Sequence, residues 1–123
     1  MHLLLPGDVP SKKNSKRWLQ RGRKRFLLPS QAYEDWHEEQ MLRIRRLRPK
    51  KPFSLAAVRA VFYPRTRVRG DLTNKMESVM DLLVDAQFIE DDNWFVIPDA
   101  HPIFGGVDPK NPRVEIEINP LQP

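Results

Sequence analysis

Phe53-Ser54-Leu55-Ala56-Ala57-Val58-Arg59-Ala60-Val61-Phe62-Tyr63, followed after a basic linker by Gly70-Asp71-Leu72-Thr73-Asn74-Lys75-Met76-Glu77-Ser78, decides the fold class. In the first stretch Val58, Ala60 and Phe62 alternate with Arg59, Val61 and Tyr63, the period-two pattern of a strand. Pro64 closes it. In the second, Met76, Val79, Met80 and Leu83 form one apolar stripe of a helix expected from about Asn74 to Ala86. A strong strand next to a strongly amphipathic helix predicts an α/β (α+β) layer fold.

Working outward, His2 to Leu5 reads as a first strand stopped by Pro6-Gly7. Residues 9–29 form a polar, basic segment whose centre, Gln20-Arg21-Gly22-Arg23, reads as the turn of a basic hairpin. A disordered arm is the alternative for this segment. Ser30 is a good N-cap for a first helix over about Gln31 to Leu47, with Tyr33, Trp36, Leu42 and Leu47 as its apolar residues. Its acidic residues lie in the first half and its arginines in the second, an order that suits the helix dipole. Pro49 ends it. A strand is expected over Trp94 to Ile97, then a turn-rich loop from Gly105 to Pro112. Val114, Ile116 and Ile118 alternate with Glu115 and Glu117 in a final strand, Arg113 to Asn119. With no internal repeat, residues 1–123 are expected to form a single domain.

Composition narrows the function classes. Of 123 residues about 40% are apolar and 30% charged, as in ordinary globular proteins. No window approaches the roughly 18 apolar residues of a membrane span, so no membrane partner is expected. There is no cysteine, which removes disulfides and thiolate metal sites and suits the cytoplasm. His2, His37 and His101 show no zinc spacing. Any metal site would be made of oxygen. The net charge of +5 is unevenly spread: residues 1–70 hold 18 Lys and Arg against 5 Asp and Glu, and residues 71–123 hold 3 against 11. The basic half suits a polyanion, and the acidic half suits a cation.

Phosphodiester hydrolysis needs an activated water and a counter-charge on the phosphate, which carboxylate-held Mg²⁺ supplies. Asp71 precedes the second helix, and Asn74, Glu77, Ser78 and Asp81 share the helix face opposite the apolar stripe. Asp91 and Asp92 lie in the return segment, so Asp71, Glu77, Asp91 and Asp92 are candidate ligands. Structural alternatives stand beside each. Asn74 with Glu77 has the pattern of a helix capping box, with Thr73 as another possible cap. Asp81 and Asp85 read as a solvated face, and Asp91-Asp92 as a turn before Asn93. Lys75 is a candidate stabiliser of the phosphate, since a lysine at a helix start opposes the dipole.

The candidate DNA-binding cations are Lys12, Lys13, Lys16, Arg17, Arg21, Arg23, Lys24 and Arg25, with Asn14 among them. Arg65, Arg67 and Arg69 alternate with period two up to Asp71, so an extended chain would point all four one way. These three arginines would carry backbone phosphates to the site, or guard an edge strand. Trp18 and Phe26 are expected to anchor the hairpin rather than to stack on bases.

These motifs resemble the RusA family of Holliday junction resolvases. Pro10-Ser11-Lys12-Lys13-Asn14 is similar to the family's Pro-Ser-x-Asn segment. Asp71-Leu72-Thr73-Asn74, Asp81-Leu82-Leu83 and Asp91-Asp92 match its core carboxylate motifs in order and without a gap. The resemblance covers nearly the whole chain. It implies a single mixed β-sheet with two main helices and a homodimer acting on branched DNA, the four-way junction. It further implies an Mg²⁺-dependent endodeoxyribonuclease, with Mn²⁺ substituting, of the kind common in phages. Two positions depart: Thr73 stands where the family has its second aspartate, and Glu77 where it has a lysine. A compensated variant is expected, with Glu77 supplying the missing carboxylate and Lys75 the missing ammonium. The competing expectations are a non-catalytic nucleic-acid-binding module and a nuclease acting on RNA or other branched forms.

Overall fold

The structure, a computed structural model, describes residues 1–12, 17–28, 30–67 and 69–123, with the side chains of residues 17–19, 26 and 27 left out. Its elements are β1 His2–Pro6, β2 Arg17–Arg21, β3 Lys24–Leu28, α1 Gln31–Ile44, a 3-10 turn Arg45–Leu47, β4 Ala56–Tyr63, α2 Leu72–Asp85, β5 Asp99–Phe104 and β6 Arg113–Pro120. Four strands form one mixed sheet in the order β1-β6-β4-β5, and β2 with β3 forms a separate hairpin. The mixed sheet and two helices agree with the expected α+β class. No helix among the described residues is long and apolar enough to cross a membrane.

The alternation read from the sequence is what builds the core. Ala56, Val58, Ala60 and Phe62 of β4, Leu3 and Leu5 of β1, and Val114, Ile116 and Ile118 of β6 are all buried. The α2 stripe of Met76, Val79, Met80 and Leu83 joins the same cluster. That stripe is therefore core of this chain, and packing accounts for it without a second subunit. β4 and β5 run parallel, and α2 lies between them in the chain, the crossover that parallel neighbours require. Both remaining pairings of the sheet are antiparallel.

Two sequence expectations are corrected. Residues 94–97 are not a strand: the Asn93 side chain accepts from the N–H groups of Phe95 and Val96, at 2.9 and 3.2 Å, and winds them into a turn. The strand of this region is β5, which starts only at Asp99. Pro102 is tolerated in β5 because it is an edge strand. In α1 the buried residues are Tyr33, Trp36, Gln40 and Ile44, whereas Leu42 and Leu47 are exposed. β4 ends at Tyr63 before Pro64, as expected, and the Arg65 N–H goes to Asp8 Oδ1 at 2.8 Å. The basic hairpin, by contrast, is present, with Gly22 at φ 60° in its turn.

Candidate active site

α2 starts at Asp71. Its Oδ1 accepts from the N–H groups of Thr73 and Asn74 at 2.9 and 3.3 Å, so Asp71 is the N-cap rather than Asn74 or Thr73. With the cap at Asp71, Glu77 lies beyond the first turn, out of capping-box position. Glu77 instead adds negative charge around Lys12 and Tyr33, together with Asp81 and Asp85.

The polar face of α2 is covered, not solvated. The segment Asp8 to Lys12 lies along it like a strap, and three side chains one helical turn apart hold it. The Lys75 ammonium donates to the Val9 carbonyl, Ser78 Oγ donates to the Pro10 carbonyl at 2.7 Å, and Lys12 Nζ donates to Asp81 Oδ2 at 2.8 Å. Ser30 Oγ adds a longer bond to the Ser11 carbonyl at 3.4 Å and accepts from the Tyr33 N–H as the α1 cap. This strap gives Lys75 a reason to stand in the first turn of the helix despite the dipole. Burial pushes its ammonium below the ordinary lysine range, with Asp8 pulling the other way.

At its far end α2 stops in a left-handed cap. Gln87 takes φ 64°, and the N–H groups of Gln87 and Phe88 bond back to Val84 and Leu83 at 3.0 and 2.9 Å, the Schellman arrangement. Phe88 and Ile89 then bury completely, Phe53 bridges to Ile89, and the chain emerges at Asp91-Asp92. Asp91 accepts from the Asp92 N–H at 2.7 Å and from Asn93 Nδ2 at 3.1 Å. Those bonds hold its carboxyl below the usual aspartate range. Asp92 moves the opposite way. Burial raises it first, and the neighbouring Asp91 and the charge of Asp81 raise it further. Asp81, read from the sequence as a solvated helix residue, thus links the helix to this pair. Its one sequence signal was the Asp81-Leu82-Leu83 match.

Crowded carboxylates of this kind suit a hard divalent cation. Among the described residues no group of three or more His, Asp or Glu is close enough to hold a metal by itself. Magnesium usually takes only one or two carboxylates and keeps its waters, so the oxygen donors of Asp91 and Asp92 fit it chemically. Asp71 caps α2 and Glu77 lies on it, whereas Asp91 and Asp92 lie on the return segment that the α2 cap directs, and among the described residues the four form no single group.

Beside the Asp71 end lies a cleft of about 500 Å³ that includes Asp8, Tyr63, Arg69, Gly70, Lys75 and Phe104 in its lining. Of the candidate DNA-binding residues, Arg21, Arg23, Lys24, Arg25, Arg65, Arg67 and Arg69 are exposed, and Lys12 is partly so. Lys13, Asn14 and Lys16, and the side chains of Arg17, Trp18 and Phe26, lie outside the described residues.

A family model described as Endodeoxyribonuclease RusA matches residues 6–119. No curated protein gives a match to the chain.

Proposed function

The chain belongs to the RusA endodeoxyribonuclease family, and on that premise we propose that it is an Mg²⁺-dependent nuclease resolving four-way DNA junctions by paired cuts. The observation that supports this most is the adjacency of Asp92 to Asp91 at the end of the segment directed by α2, where burial first and Asp91 next raise the Asp92 carboxyl. A carboxyl whose charged form is disfavoured by burial and a like neighbour gains from a divalent cation.

Asp91 and Asp92 are the principal ligands in this reading, with Asp71 and Glu77 as the further carboxylates. A bound Mg²⁺ would supply an activated water and counter-charge for the phosphate. The chain's own part is positioning. Asp71 fixes the start of α2, the strap holds Lys75 at the adjoining cleft, and the Asn93-capped turn orients the aspartate pair. Lys75 is half-buried, and it acts as a fixed electrostatic partner for the phosphate. The exposed cations of the hairpin and of Arg65, Arg67 and Arg69 hold the arms of the junction. A homodimer would place two such sites for symmetric cuts.

A second reading, junction binding without cleavage, draws on Thr73 in place of a carboxylate and on the structural engagement of Lys75. The two separate on a synthetic four-way junction. The nuclease reading expects paired nicks with Mg²⁺ or Mn²⁺ and none in EDTA, whereas the binding module leaves the DNA intact in both.

A further inference from the structure

The chemistry above uses only the cations of the cleft beside Asp71, and the rest of its composition is unusual for a phosphate seat. Its walls combine apolar and aromatic side chains (Val9, Phe62, Tyr63, Phe104) with Arg69, Lys75 and Arg113. A phosphate alone needs cations and N–H donors, not aromatic walls. At about 500 Å³ the space lies in the ordinary range for a small-molecule or nucleobase pocket.

The aromatics differ in availability. Tyr63 is already stacked, with the Arg113 guanidinium 4.0 Å from its ring centroid. Gly105 packs against the same ring so closely that an added Cβ would lie 2.6 Å from it. Arg113 is held in turn by Asp108 at 2.8 Å. Tyr63 is thus a fixed wall. Phe104, at the end of edge strand β5, is 57% exposed, and it pairs in register with buried Phe62. An aromatic ring that costs solvation while standing on a rigid strand is a stacking platform. Arg69, exposed one residue before Gly70, places a cation at the mouth, and Lys75 places another on the wall.

From this juxtaposition we infer that the cleft takes one nucleobase of the cut strand, stacked on Phe104 with its phosphate side towards Arg69 and Lys75. The inference rests on the proposed nuclease reading, and it expects the cleft to give cutting a preference for the base it holds. A base splayed from the branch point is already unpaired, so inserting it costs less than extracting one from a duplex.

The test uses the full chain on four-way junctions carrying 2-aminopurine at each position flanking the branch point, with Ca²⁺ replacing Mg²⁺. Wild type should change the probe's fluorescence at one position. Phe104→Ala should abolish that change and weaken binding roughly tenfold. Thr66→Trp, which fills the cleft from an exposed position, should do the same, and both variants should keep wild-type circular dichroism. With Mg²⁺, both should cut with a flattened sequence preference. Unchanged fluorescence and unchanged preference in both variants would overturn the inference, as would variants that alter only self-association. Junction binding with probe insertion but no cleavage by wild type would sink the nuclease reading and leave the base pocket standing.

Discussion

Lys12 Nζ lies 2.8 Å from Asp81 Oδ2, tying the basic N-terminal segment to the acidic face of α2. The contact holds the Lys12 ammonium above the ordinary lysine range, chiefly through that hydrogen bond. Burial opposes the shift, and the charges of Asp81, Glu77 and Asp85 support it. A folded value above the unfolded 10.5 contributes stability that is present below about pH 10.5 and lost as pH rises through the folded value. Lys12 is 37% exposed, so the pair is worth at most about 1 kcal/mol. Lys12→Met should therefore lower the thermal midpoint slightly at pH 7, and the difference from wild type should vanish at strongly alkaline pH.

Ser78 is fully buried and joins the strap to the helix. Ser78→Ala leaves the Pro10 carbonyl without its 2.7 Å donor and should cost about 1–2 kcal/mol in denaturant unfolding. A loss near zero would mean that water replaces the hydroxyl and that the strap is held elsewhere.

Gln87 carries a left-handed backbone at φ 64° in the position that glycine normally takes. Gln87→Gly should raise stability by about 1 kcal/mol, read as a shift in the denaturant midpoint. Junction cleavage should not change, because the cap geometry that directs Asp91 and Asp92 is kept.

Asp92 is raised above the ordinary 3.8 by burial and by its acidic neighbours. Its contribution to stability is therefore largest below about pH 3.8 and is lost as pH rises through the folded value. Asp92→Asn should unfold at a higher temperature than wild type at pH 7 without divalent cations. The gap should close in acid. Mg²⁺ should stabilise wild type more than the variant.

The parts legible in the sequence are those where one face is buried and the other is not. β4, β6 and α2 obey that rule, and their residues fall where period and stripe put them. β5 breaks it. Edge strand Asp99–Phe104 has no buried residue and contains Pro102, so alternation gave no signal. Trp94 to Ile97 misled for the opposite reason: strand-prone side chains follow Asn93, whose side chain winds them into a turn. In the candidate site the carboxylates were visible as residues. The strap was not, because its three contacts join residues 66–69 apart in the chain. Ser78 and Lys75 gained their roles only there.

Metal-dependent cleavage of branched DNA is the role we propose for the carboxylates at Asp91-Asp92. It is tested most directly by cutting of a synthetic four-way junction with Mg²⁺, comparing wild type, Asp92→Asn and Glu77→Gln. Paired, symmetric nicks are expected for wild type, none for Asp92→Asn with junction binding retained, and a strong loss for Glu77→Gln. Full cleavage by Asp92→Asn, or tight binding with no cleavage by wild type, would contradict it.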